Sequence, residues 1–325
     1  MNTAPDKVMA LPDAIGRFVE DGSHISIGGF TLSRNPMAAV YEIIRQRKKG
    51  LHLYAHSNGQ GADELIGGGC LSKLELAYSG TGRFGPTCIR FKKAVEAGTL
   101  PVEDYTNFQM TLRFLAGALG IPFLPTRSSL GTDIIEKWGF SADMRKSDPK
   151  LPDEKLIVIE NPFGDWINKS KLVLVPAIQT DVTIVHVQKA DKQGTARIKG
   201  LTFADVEQIK SARKVILTCE ELVEPAELRV NSDGNQIPPF CVDAVVHVPF
   251  GAYPTACYGY YDYDPVYLKQ YAEVAVNDEA HGAYLERFIH GVSDHAGFLK
   301  IAAGSRLDDI KADSRTGYAP NLNRT

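Results

Sequence analysis

No apolar run in this chain is long enough to span a bilayer. With a net charge of −3 and an isoelectric point near 6.3 it also lacks the electrostatic footprint of a nucleic-acid or anionic-membrane binder. Cysteine is sparse. Cys70, Cys88, Cys219, Cys241 and Cys257 are odd in number, widely spaced and without a C-x-x-C pair, which fits reduced core thiols rather than a disulfide framework or a zinc site. His281, His290 and His295 have no close metal-ligand spacing, so no metal is expected. Neither G-x-G-x-x-G nor G-x-x-x-x-G-K-[ST] marks a nucleotide cradle, and Gly67-Gly68-Gly69 lacks the Lys-Ser/Thr that would follow in the latter. The opening eighteen residues hold two acids and no sustained apolar stretch, unlike a signal or transit peptide, and the expected compartment is the cytoplasm.

What the chain does have is core-forming material. Of 325 residues, 44% are apolar and 23% charged, enough for a sizeable buried interior. One domain over 1–325 is the expectation, with a possible subdivision near 143–154, where Asp143 to Glu154 reads as a charged, proline-bearing connector. Residues 11–20 predict a helix with Pro12 in its first turn, and His24-Ile25-Ser26-Ile27 predicts a short strand. A second helix begins at Pro36 and closes on Arg45, Arg47, Lys48 and Lys49 before Gly50. Apolar runs at 51–55, 74–78, 121–124, 156–159, 172–175, 182–187, 215–217 and 244–248 alternate with helical patterns. The fold class is therefore α/β: an open, mostly parallel sheet covered by helices on both faces, with a C-terminal extension. The tail from Ala312 to Thr325 is polar and expected to pack poorly.

In such a sheet ligands sit at the carboxyl ends of the strands, which here means the loops Gly28–Asn35, Ser57–Gly61 and Ser79–Gly85. Gly28-Gly29 directly after a strand allows backbone N–H groups to approach a ligand, and it is equally ordinary turn chemistry. The loop Ser57-Asn58-Gly59-Gln60-Gly61 contains no carboxylate. Glu64 is the nearest candidate nucleophile, but Ala62-Asp63-Glu64-Leu65-Ile66 reads as a first helical turn, where acids offset the helix dipole.

Taken together, these segments resemble the first subunit of family I coenzyme A transferases. The resemblance rests on Asp21 to Phe30 with Pro36, Ser57-Asn58-Gly59 with Gly61 and Asp63, Tyr78-Ser79-Gly80, Gly117 to Pro125, and Gly131-Thr132, in that order and spanning at least residues 12–200. Arg34 departs from the pattern, which usually has glycine there. That departure, with Pro249-Phe250-Gly251-Ala252-Tyr253-Pro254 and Cys257 to Tyr261, resembles the branch acting on C5 dicarboxylates such as glutaconate or 2-hydroxyglutarate.

The resemblance implies a hetero-oligomer with several copies of each chain. A homologous catalytic subunit would present a Ser-Glu-Asn-Gly-like loop, whose glutamate attacks an acyl-CoA. Coenzyme A is then a substrate, and no permanently bound cofactor is implied. Counting back without gaps from Gly120-Ile121-Pro122, the family's oxyanion amide falls on Asn107, with Gln109 as the fallback; Asn107 fits a loop cap equally well. The substrate-binding set is Gly28, Gly29, Phe30, Ser33, Arg34, Asn35, Ser57, Asn58, Gly59, Gln60 and Ser79, with Arg34 receiving the distal carboxylate through its two-pronged guanidinium. Seven of thirteen tyrosines fall between Tyr253 and Tyr271, fitting either an interface or a tyrosine-rich core. Two rival readings share this kind of sheet. A sugar-phosphate isomerase would use Asp63 or Glu64 as acid/base and Arg34 for phosphate, and a ligand-sensing module would bind an effector without a catalytic partner.

Overall fold

The computed structural model describes residues 5–168, 170–320 and 322; residues 1–4 of the opening stretch and 321 and 323–325 of the tail lie outside it. Strands β1 (His24–Ile27), β2 (Leu51–Ser57), β3 (Leu71–Tyr78) and β4 (Val102–Asp104) alternate with helices α1 (Leu11–Phe18), α2 (Met37–Arg45), α3 (Gln60–Gly67) and α4 (Ile89–Glu96). There follow α5 (Asn107–Leu119), β5 (Phe123–Thr126), α6 (Ala142–Ser147), β6 (Ile157–Glu160), β7 (Lys171–Pro176), β8 (Val182–Asp191), β9 (Ala196–Arg197), α7 (Asp205–Ser211), β10 (Lys214–Val223) and β11 (Ala244–His247). Helices Pro265–Ala275, Asp278–Leu285 and His295–Ala302 build the C-terminal extension.

The main sheet has the order β11-β10-β8-β1-β2-β3-β4, with the short β9 hanging antiparallel on β8. Every other pair in it is parallel. Its residues alternate between two apolar layers, as a sheet covered on both faces requires. Ile25, Ile27, Leu51, Leu53, Leu74, Leu76, Ile184 and Ile216 pack toward α1, α2, α3 and the C-terminal helices. On the other face Val185, Val187, Val215 and Leu217 meet Ile209 of α7, and Tyr54 meets Met110 and Phe114 of α5. Each such side chain contributes ~1.5–3 kcal/mol relative to exposure.

Three predicted strands do not join this sheet. β5, β7 and β6 form a separate antiparallel sheet, because antiparallel pairing needs no crossover helix and the segment 161–170, with one short 3-10 helix, joins β6 to β7. The charged connector at 143–154 is largely exposed but anchored at two points. Arg145 of α6 is buried on Glu103, and Asp148 accepts from Lys73 and lies 3.0 Å from His24 Nε2. The tail is also better packed than its polarity suggests: Ala319 is buried and donates its N–H to Asp262, and Gly259 donates to Gly317.

β1 lies at the point where the chain reverses its direction of travel across the sheet, with β2 on one side and β8 on the other. The crevice expected at such a switch point lies beyond the carboxyl ends of β1 and β8.

Candidate active site

The three loops predicted at the strand ends do meet, and they are joined by their own backbones. Thr31 N–H donates to the Ser57 carbonyl at 2.9 Å, Gly59 N–H to Thr31 at 3.3 Å, and Asn58 N–H to Tyr78 at 3.1 Å. Glycine is required where these loops touch. A Cβ at Gly59 would lie 2.4 Å from the Gly80 carbonyl oxygen, and one at Gly29, where φ is +85°, would lie 2.5 Å from that of Ser33.

The same closeness uses up the donors. Gly28 N–H goes to Ile184 O, Gly29 N–H to Asp205 Oδ1 at 2.9 Å, and Phe30 N–H to Ser33 O. The glycine pair therefore closes a floor with its N–H groups, the turn chemistry that the sequence left open beside a ligand-facing role. Asn58 holds the Gly28 carbonyl with its Nδ2 and the Ala62 N–H with its Oδ1. Asn35 accepts from Gly61 N–H and donates to the Ser33 carbonyl, and Gln60 donates to Glu64 at 2.9 Å. These amides latch loop to loop. Ser79, at the end of β3, is likewise buried.

Arg34 differs most from its expected role. It is 3% exposed and adopts a left-handed backbone, with φ of 56°. One terminal nitrogen donates to Asp205 Oδ2 at 2.5 Å and to His186 O, and the other donates to Leu201 O at 2.9 Å. Its charge is thus compensated by Asp205 before any substrate arrives. Asp205 opens α7, 171 positions away in the sequence, and is the residue that sequence reasoning missed.

Asp63 and Glu64, the acid/base pair of the isomerase reading, are turned into a nest of tyrosines. Tyr284 and Gln60 donate to Glu64 Oε1 at 2.6 and 2.9 Å, while Phe91 N–H and the Tyr271 hydroxyl donate to Asp63. Burial pushes the Glu64 carboxyl up to about 8 and that of Asp63 up to about 6. Tyr253, Tyr261, Tyr267 and Tyr271 of the tyrosine-rich segment are all buried, so much of that segment is core.

Asn107 is placed otherwise. It is the first residue of α5, exposed, and its Oδ1 accepts from Ser57 Oγ at 2.5 Å, while its Nδ2 donates to nothing among the described residues. Gln109, the fallback, is fully buried in the capping box with Thr106 and also donates to Ser129, so it serves the helix. His56 stands beside Ser57, with its basicity lowered by burial, and packs against Phe30, which stacks on Phe203 at 4.8 Å.

Beyond Phe203 lies a cavity of about 310 Å³, lined by Ser33, Arg34, Lys199, Tyr258, Tyr261 and Tyr263 among others. Its rear wall is a saturated network. Glu220 accepts from Tyr261 OH and Phe250 N–H and meets His186 Nε2 at 2.7 Å, and His186 Nδ1 meets Thr218 Oγ1. His186, Glu220 and Cys257 have the separation of metal ligands, but both ring nitrogens of His186 and both carboxylate oxygens of Glu220 already serve this network. A second such group, His24, His52 and Asp148, lies at the amino ends of the strands, where the Lys73 ammonium stands on the same Asp148 oxygen and opposes a cation. The parallel register that sets His24 beside His52 was not visible in their spacing.

Comparison with known proteins adds to this geometry. The sequence pattern of the coenzyme A transferase family matches residues 8–248. One subunit of glutaconate CoA-transferase from Acidaminococcus fermentans is 40% identical over 312 residues, covering 96% of this chain and 97% of that one. The crystal structure of that organism's glutaconate coenzyme A-transferase superimposes with a TM-score of 0.93 over 97% of this chain and 98% of its own, at 40% identity. One subunit of 3-oxoadipate CoA-transferase from Pseudomonas knackmussii is 32% identical over 302 residues, 92% of this chain and 99% of that one.

Proposed function

The chain belongs to the coenzyme A transferase family, and from that premise we propose that it is the non-nucleophile subunit of a cytoplasmic enzyme moving CoA between an acyl-CoA such as acetyl-CoA and a C5 dicarboxylate, glutaconate or 2-hydroxyglutarate. The observation that carries this reading is the Ser57–Asn107 pair. An unoccupied amide N–H₂ faces outward at the strand ends, while the carboxyls of the surrounding loops, Asp63, Glu64 and Asp205, are buried and hydrogen-bonded inward. Such a surface can stabilise an oxyanion, and those three carboxyls are buried and already engaged rather than turned outward to attack, so the nucleophile comes from a homologous partner chain.

In the proposed sequence the partner's glutamate carboxylate attacks the acyl-CoA carbonyl. The C–S bond breaks, CoA leaves as thiolate, and an acyl–glutamyl anhydride remains. The thiolate then attacks the glutamyl carbonyl, releasing the acid as its carboxylate and leaving a glutamyl-CoA thioester. The incoming dicarboxylate repeats both steps in reverse order. Asn107 Nδ2 donates to the oxygen that becomes negative in each tetrahedral intermediate, and Ser57, by holding Asn107 Oδ1, keeps the amide turned that way. Gly28, Gly29, Phe30, Asn35, Asn58, Gly59, Gln60 and Ser79 support this surface from beneath, and Ser33 and Arg34 border the cavity beside it.

The test is a CoA-transfer assay from acetyl-CoA to glutaconate with this chain alone, its partner alone and the two together. Transfer only by the combination supports the reading. Turnover by this chain alone overturns it.

A further inference from the structure

Two cations border the cavity, and their circumstances are opposite. Arg34 is buried and paired with Asp205. Lys199 is exposed, and among the described residues no carboxylate pairs with its ammonium, which stands over the face of Tyr258, 5.6 Å away.

Lys199 is nevertheless held in place by a built wall. Gln188 of β8, 2% exposed, accepts the Lys199 N–H at 3.1 Å and donates to the carbonyls of both Lys199 and Tyr258, at 3.0 and 3.1 Å. One buried amide therefore fixes the two residues to each other. The Tyr258 ring is gripped by Gly200 and Gly317, both left-handed, where an added Cβ would come within 3.0 and 2.6 Å of it. The Lys199 stem runs over Gly259, where a Cβ would lie 3.2 Å from Cδ. A flexible surface lysine has no need of such support. A lysine that must hold its ammonium at one point of a cavity wall does.

We propose that Lys199 receives the second carboxylate of a dicarboxylic acid bound in this cavity, the role that the sequence alone assigns to Arg34. The inference rests on the CoA-transfer reading for the chemistry at the first carboxylate. The cavity suits the assignment: about 310 Å³ is at the low end of small-molecule sites, roughly 300–1,000 Å³, ample for a five-carbon diacid and too little for a whole CoA nucleotide. The cavity also adjoins the reacting surface, since Ser33 on its edge lies two residues from Thr31, which bridges to Asn58. A carboxylate on this ammonium forms a charge-assisted hydrogen bond, stronger than a neutral one.

The experiment is calorimetric titration of the assembled two-subunit protein with glutarate and with its monomethyl ester, which keeps the length and loses one charge. Neither measurement needs turnover. The wild-type complex is expected to bind glutarate at least about tenfold more tightly than the ester, and Lys199→Ala to abolish that preference while Lys199→Arg retains part of it. A preference that survives Lys199→Ala overturns the assignment, as does equal binding of the two ligands by the wild type. If Lys199→Ala instead weakens CoA binding and leaves the glutarate preference intact, the lysine serves the nucleotide phosphates and the proposal fails. An absence of acetyl-CoA exchange with any acid, measured separately on the wild-type complex, would sink the CoA-transfer reading while the glutarate titration still reports on Lys199.

Discussion

The loop after β1 and the wall formed by Lys199 and Tyr258 border one cavity, and they solve different problems. In the first, the guanidinium, the glycine N–H groups and the side-chain amides are turned inward. Arg34 is matched to Asp205, the glycine N–H groups to Ile184 and Asp205, and Asn35 and Asn58 to neighbouring loops. In the second, the backbone is fixed by Gln188 and three left-handed glycines while the ammonium is left without a counter-ion. A glycine-rich signature is thus a recipe for a tight floor, whereas ligand-facing groups stand out by what they lack. A charge already satisfied inside the protein gains little from a substrate, and one held in place without a partner gains much.

That contrast can be broken most severely at Arg34. Arg34→Met leaves Asp205 as an uncompensated buried charge and is expected to destabilise the chain by ~3–5 kcal/mol in denaturant unfolding. Adding Asp205→Asn should recover part of the loss, because the second change removes the orphaned charge. An Arg34→Met protein of wild-type stability with a defect confined to dicarboxylate binding would return Arg34 to the role first read from the sequence.

Asn107 sharpens the comparison on the reacting surface. Asn107→Ala should lower kcat about 10²–10³-fold in the assembled enzyme, with unchanged unfolding midpoint, as expected for one lost oxyanion donor. The corresponding change at Gln109 should act on stability instead, since its amide closes the capping box of α5: Gln109→Ala is expected to cost on the order of 1 kcal/mol.

The smallest effect on activity is expected at Glu64. Its carboxyl is raised to about 8 by burial, and an acid raised in the folded state stabilises that state fully below its unfolded value and loses this contribution as the pH rises through the folded one. Stability should therefore decline between about pH 4.5 and 8, with Asp63, raised to about 6, adding to the lower part of the decline. Glu64→Gln should flatten the upper part in unfolding experiments run across that range and leave most of the activity. A steeper pH profile in the variant would show that Glu64 is ionised in the folded protein.

Much of the fold was legible in the sequence because strands buried on both faces leave uninterrupted apolar runs, and β1, β2, β8 and β11 lie where those runs are. The short β4 and β9 carry too few apolar residues to be seen, and the antiparallel pairing of β5, β6 and β7 depends on contacts that periodicity does not encode. The three loops could be located from the strand ends, and Asn107, which meets Ser57, was picked out only by counting back along the family resemblance. The direction in which Arg34 points could not be read, because Asp205 is 171 residues away and nothing local announces the pair. Lys199 lies in an unremarkable polar stretch. Its only sequence cue is distant: the tyrosine-rich segment that supplies Tyr258 to the same wall.

The central claim, that this chain builds the acyl site and a partner attacks, is tested most directly by trapping the thioester. The two-subunit protein is incubated with glutaryl-CoA or glutaconyl-CoA, reduced with borohydride and resolved by intact mass. A modified partner beside an unmodified chain is the predicted result. Modification of this chain instead, abolished by Glu64→Gln with the fold intact, would contradict it.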